Sequence, residues 1–258
     1  MDFQRIYEIG TDDLYPATII LIAGAAEFGN WIGGRNRSAE ARGDDFGTLT
    51  AAALGLLALL IAFSFSIALS RFDLRQDLVL EEANAIGSTA NFALMLPEKV
   101  QKPLLGMLRD YTAVRIGLGV PYDPAKLQRD VARSVDLQAR LWQQAVSVTS
   151  ADPQSLPAYR FVASLNEMNN IHESRLTALR YHVPPEVLLM LVGVAMVALG
   201  FTGYHAGRME ARGRVATLIM SLMVAGVIML IMDLDRPARG IILVSPQPLI
   251  DAAQGIPQ

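Results

Sequence analysis

The sequence contains no cysteine, which excludes disulfides, thiolate metal sites and a cysteine nucleophile. Its three histidines, His172, His182 and His205, are too scattered for a zinc-ligand spacing, and nothing calls for a cofactor. Net charge is only -3 and no nucleic-acid motif is present, so a nucleic-acid partner is not expected. The acidic start MDFQRIYEIGTDD lacks a basic n-region and predicts no cleaved signal peptide. Glu27, His205 and Asp233 form no nucleophile, base and orienter set, so the chain is not read as an enzyme. The most informative lack is of charge: none stands between Phe46 and Ser70, and no lysine between Phe46 and Glu98.

What is present is apolar. Hydrophobic residues make up 52% of the chain, and the charges fall in blocks, the composition of a membrane protein with a soluble portion. Four spans are expected, at about 16–33, 46–70, 187–206 and 215–232. The fold class is therefore an all-α membrane protein in which a helical soluble domain, 71–186, is inserted between the second and third spans. An N-terminal transmembrane hairpin occupies 1–70 and a C-terminal one 187–232, followed by a membrane-adjacent segment, 233–258. Lipid bilayer is thus the first expected partner, and the expected location is the cell (inner) membrane.

The second span is the strongest of the four. About 25 uncharged residues rise roughly 37 Å as a helix, more than the ~30 Å hydrocarbon core. From Arg71 onward the charges Arg71, Asp73, Arg75, Asp77, Glu81 and Glu82 arrive without proline, and without glycine before Gly87, so one long helix is expected to leave the bilayer. At about 100° per residue, Thr48, Ala52, Leu59, Phe63, Ser66, Ser70, Asp73, Asp77, Glu81, Asn84 and Ser88 share one face. It is small and polar at Thr48, apolar at Leu59 and Phe63, hydroxylated at Ser66 and Ser70, then acidic at Asp73, Asp77 and Glu81. A pore-lining helix would present such a face; a helix-packing seam is the alternative, because small polar residues are common there too.

The first span carries Glu27, which reads either as an ion site or as an interfacial acid paired with nearby Arg35; the second reading is preferred. Pro16 suits its first turn, and Trp31, Gly33, Gly34 and Arg35 its interfacial exit. Within the soluble domain Pro97 and Pro103 bracket a turn, and a helix is expected to end at Gly119 and Pro121. Buried faces are expected at Leu127, Val131, Val135, Leu141 and Val148, then at Tyr159, Val162, Leu165, Met168, Ile171 and Leu179. The last two spans form a hairpin in which Gly193, Ala195, Gly200, Gly203 and Gly226 permit close contact. After them, Asp233 to Gln254 is expected to be a loop, with Ile241–Val244 extended; Asp233 and Asp235 are candidates for an ion site or regulatory loop.

Two stretches carry a family resemblance. FSFSIALSRFDLRQDLVLEEANAIG, Phe63–Gly87, resembles the second-helix region of bestrophins, where an apolar neck runs into a charged soluble helix. LDRPARG, Leu234–Gly240, resembles the acidic residue, proline and glycine after the last bestrophin span, with two residues instead of one between Pro237 and Gly240. The chain is more closely similar to the bestrophin-like domain proteins of prokaryotes, from Leu54 to its end. The resemblance implies a homo-oligomer, a pentamer, whose five second helices surround a pore for permeant inorganic ions. The constriction would fall on Leu59 and Phe63, with Ile67 beside them. The consecutive acids used for calcium gating in animal bestrophins are absent, so calcium activation is not implied.

Rings of Asp73, Asp77 and Glu81, sharing a face with Thr48, Ser66 and Ser70, lean the expected selectivity to cations. An anion-conducting channel and a non-conducting membrane scaffold or sensor remain as alternatives. Orientation has two conflicting pointers. Arg35, Arg37, Arg42, Arg208, Arg212 and Arg214 crowd the short loops and would place those loops in the cytoplasm, whereas the resemblance places the soluble domain there. Flanking arginines on the other side, such as Arg236 and Arg239, offset the loop count, and a cytoplasmic domain is the expectation.

Overall fold

The computed structural model describes residues 11–35, 43–118, 123–208, 212–236 and 240–257, without the side chains of 11–12, 43–46 and 212. Arg37, Arg42, Gly119, Pro121, Pro237 and Arg239, used above, lie outside these residues. The described chain is helical, with no strand: α1 Thr11–Arg35, α2 Gly43–Ala93, α3 Glu98–Ile116, α4 Pro124–Ala151, α5 Leu156–Arg180, α6 Pro185–Arg208, α7 Arg212–Leu234 and α8 Gln247–Gly255. Four helical stretches, one on α1, one on α2, one running over α5 and α6, and one on α7, are long and apolar enough to cross a membrane.

The expected long helix exists. α2 runs 51 residues without interruption, because no helix breaker stands where its apolar part gives way to charge. α1 begins a turn and a half before Pro16, not at it. The chain forms two compact units: Met1–Arg71 with His182–Ile242, and Phe72–Tyr181 with Leu243–Gln258.

In the first unit α1, α6 and α7 pack on one another, so the expected α6–α7 pairing is present. The glycines, however, serve α1. A Cβ on Gly29 would stand 2.0 Å from the Gly200 carbonyl oxygen, and one on Gly33 would stand 2.1 Å from that of Tyr204. Reciprocally, Cβ atoms on Gly203 and Gly207 would stand 2.0 and 2.1 Å from the carbonyl oxygens of Ala26 and Asn30. The pairs advance together along both helices, so α1 and α6 run parallel, backbone against backbone, the geometry that small-residue spacing allows in lipid. Gly33 is therefore a packing residue, while Gly193 and Gly226 have no atom near enough to need them.

In the second unit the core gathers Ile86 of α2, Leu104 and Leu108 of α3, Leu141 of α4, Phe161, Leu165 and Met168 of α5, and Leu249 of α8. Two helix starts are fixed locally: Asp123 accepts from the Ala125 N–H at 2.9 Å, and Ser155 Oγ from the Ala158 N–H at 3.4 Å, each ahead of a proline in the first turn. Pro103 does not bound a turn; it lies inside α3, which starts at Glu98. α4 buries Ser134, Leu137, Leu141 and Ala145, so its inner face is turned from the expected one and Val135 is exposed. α5 buries Leu165, Met168 and Ile171 as expected, but Phe161 takes the inner position and Tyr159 faces out. Residues 247–255, expected as loop, form α8, whose Leu249 and the following Ile256 enter this core; Ile241–Val244 carries no strand.

Candidate functional site

α2 turns one continuous row outward. In the first unit Thr48, Ala52, Leu59, Phe63, Ser66 and Ser70 are all exposed; in the second, Asp73, Asp77, Glu81, Asn84 and Ser88 are too. Leu59, Phe63 and neighbouring Ile67 are 52%, 59% and 43% accessible, so no element of the described chain packs over them. Buried positions lie on the other side of the helix: Leu57, Ser64 and Ala68 in the first unit, Arg75, Val79, Glu82 and Ile86 in the second. The same periodicity that sorts these two faces in the sequence thus sorts them in the fold.

Arg75 is buried in its own unit, where its guanidinium donates to the carbonyl oxygens of Ala178 and Tyr181, both at 3.4 Å. A cation at the C-terminal end of α5 meets carbonyls that lack helical partners, a favourable placement.

The remaining candidate acids are tied up in structural bonds. Glu27 does not pair with Arg35; it forms a forked ion pair with Arg214 of α7, at 2.8 and 3.1 Å. Arg35 instead places its guanidinium 3.9 Å from the centre of the Trp31 ring, a cation–π contact. Asp233 accepts from the backbone N–H groups of Ile241 and Ile242, at 2.7 and 2.8 Å, and from the Tyr15 hydroxyl. That ties Ile241 and Ile242 back to the end of α7. Gly240 is needed there, since a Cβ would lie 2.8 Å from the Asp233 carbonyl oxygen. Asp235 accepts the Val183 N–H with both carboxylate oxygens at 3.0 Å, and its backbone carbonyl lies 2.9 Å from His182 Nδ1. Among the described residues no group of three or more His, Asp or Glu side chains is placed to hold a metal.

One cluster was not singled out from the sequence. Glu82, fully buried in the second unit, accepts from Arg115 Nε at 2.6 Å and Nη2 at 3.2 Å, from Arg175 Nη1 at 2.5 Å and from the Tyr111 hydroxyl at 2.9 Å. Three helices, α2, α3 and α5, are joined through this one carboxylate. Burial pushes its carboxyl up, but the guanidiniums of Arg115 and Arg175 outweigh burial and hold it below the usual range. The Tyr111 hydroxyl is raised well above its ordinary value by burial and by the charge on Glu82. Because the single Tyr111 proton goes to the carboxylate, His172 Nδ1, 3.1 Å from the same oxygen, must carry its own proton and donate it. Burial and the Arg115 cation lower the His172 pKa to about 4, so the ring is neutral at pH 7. A signal existed in the sequence: Glu82 lies three and four residues from Val79, Leu78 and Ile86, on the apolar side of α2, where a charge has to be paired.

These features define a class: an all-helical membrane protein whose longest helix leaves an apolar-to-acidic face uncovered. The Bestrophin-like domain family matches residues 20–249, and the chain belongs to that family. Among solved structures, the crystal structure of a single-substitution variant described only as a membrane protein superposes with a TM-score of 0.71 at 13% identity, over 95% of this chain and 97% of that one. A bacterial bestrophin homologue from Klebsiella pneumoniae gives 0.68 at 14% identity, over 94% and 98%. At such identities the likeness is one of fold. No curated protein matches.

Proposed function

We propose that this chain is a subunit of a homo-oligomeric, pentameric ion channel whose pore is lined by α2 and which favours cations. The observation that carries this reading is the uncovered row on α2, apolar at Leu59 and Phe63 and acidic at Asp73, Asp77 and Glu81. In a ring of copies with α2 innermost, Leu59 and Phe63 form an apolar constriction that gates by shedding water. The acids recur once per subunit at its mouth and concentrate cations. Membership of the Bestrophin-like family supports the reading, since bestrophins are ion channels. In this arrangement the second unit is the soluble domain, on the cytoplasmic side, and Glu82 with its arginines holds the acidic part of α2 in place.

Recording from purified protein in planar bilayers tests the proposal. Phe63→Ala is expected to raise unitary conductance or leak severalfold, with Leu59→Ala acting in the same direction, because a smaller side chain lets the constriction stay wet. Unchanged current from both variants, with normal assembly, would place the constriction elsewhere. Reversal potentials under a salt gradient are expected to follow the cation, and Asp73→Asn with Asp77→Asn to shift permeability toward anions. Current that follows chloride would replace the cation reading by an anion channel, and a protein silent under every condition would favour a scaffold or sensor.

A further inference from the structure

The first unit carries an apolar groove of about 570 Å³ lined on one side by Ala25, Phe28 and Ile32 of α1 and on the other by Val197, Phe201 and Tyr204 of α6. Its floor is the backbone contact between Gly29 and Gly200, where two missing side chains let the helices touch and leave space above them. Because α1 and α6 run parallel, the groove has distinct ends. One end, at Ala25 and Val197, lies within the apolar part of both helices. The other, at Ile32 and Tyr204, is finished by Trp31 and Arg35, with the guanidinium stacked on the indole and both side chains exposed. Phe28 stacks on Trp31 at 6.0 Å between ring centres and continues the apolar wall to the cation.

We infer that this groove is a binding site for an anionic phospholipid, with an acyl chain along the glycine floor and the phosphate at Arg35. The volume falls in the range of small-molecule sites, about 300–1,000 Å³. An aromatic and an arginine at one end only match a ligand that is apolar along its length and anionic at one tip. A neighbouring apolar helix would fill the groove equally well but would have no use for the cation. Arg214 is held by Glu27, whereas Arg35 is the cation that stacks on Trp31 at the aromatic end of this groove.

The test uses the full chain purified in mild detergent with equal amounts of phosphatidylglycerol and phosphatidylcholine of matched acyl length, with retained lipid measured by mass spectrometry. The wild-type protein is expected to retain phosphatidylglycerol over phosphatidylcholine by about fivefold, the factor one interfacial arginine supplies. Arg35→Gln is expected to bring that ratio close to parity with total retention little changed. Val197→Trp, which fills the groove from its wall, is expected to remove most of the retained lipid while helicity by circular dichroism stays as in the wild type. Equal retention of both lipids by the wild type, or a preference untouched by Arg35→Gln, would overturn the site as non-specific surface lipid. Should Val197→Trp change the oligomer mass and not the lipid content, the groove would be an interface between copies and the inference would be wrong. If Val197→Trp fails to fold, the surface change Arg35→Gln decides the matter alone.

Discussion

Glu82→Ala is expected to destabilise the second unit by about 3–5 kcal/mol, enough to unfold it or leave it marginal. The carboxylate is the shared acceptor for Arg115, Arg175 and Tyr111, and Glu82 and Arg115 are both fully buried. Removing it leaves two guanidiniums facing each other without an anion in a site that excludes water, and repulsion adds to their lost solvation. Glu82→Gln keeps the shape and one acceptor but not the charge, and is expected to fall between alanine and wild type. Denaturant titration of the full chain, read by far-UV circular dichroism, checks the order. An alanine variant that melts like the wild type would mean that the cluster is not what joins α2, α3 and α5.

Acid is expected to act on the same cluster. His172 titrates near 4 in the folded chain against an ordinary 6.5, so the unfolded state takes up its proton first as pH falls. The stability that this neutral ring supplies is complete above pH 6.5 and is lost progressively down to about 4, amounting to about 3 kcal/mol. Glu82, held low, adds a loss of the same sign once pH falls through the carboxylate range. Melting temperature should therefore drop between pH 7 and 4, and His172→Phe should flatten the upper part of that fall.

The second large effect is expected in the first unit. Gly203→Ala would place its Cβ 2.0 Å from the Ala26 carbonyl oxygen, an obstacle made of backbone that no rotamer change relieves. Overpacking of this kind costs about 1–3 kcal/mol when side chains can yield, and here α1 and α6 must separate along the whole contact. Gly29→Ala meets the Gly200 carbonyl in the same way, whereas Gly193→Ala has open space and serves as the matched control. Size-exclusion profiles after heating in detergent should show early loss of the folded peak for Gly203→Ala and Gly29→Ala, and no change for Gly193→Ala. Equal behaviour of all three would show that the α1–α6 contact does not hold the unit together.

Local pattern alone determined much of this protein. Apolar runs, three of them uncharged and the first broken only by Glu27, marked the four apolar helices, the absence of breakers set the length of α2, and a period of 3.6 placed Thr48, Leu59, Phe63, Ser66, Asp73, Asp77 and Glu81 on one outward row. Periodicity says which face differs from its neighbours but not what that face meets, so pairing was decided by tertiary structure. Glu27 found Arg214, 187 residues away, in place of nearby Arg35, because α7 lies beside α1. The glycines of α6 serve α1 because α6 too lies beside it, and α8 is held by a core drawn mostly from α2, α3, α4 and α5, far upstream of Leu249. Glu82 stood beside Glu81 in the sequence with the same charge. One carboxylate faces outward and the other holds two arginines because adjacent residues on a helix point about 100° apart, and only the fold brings Arg115 and Arg175 to one side of it.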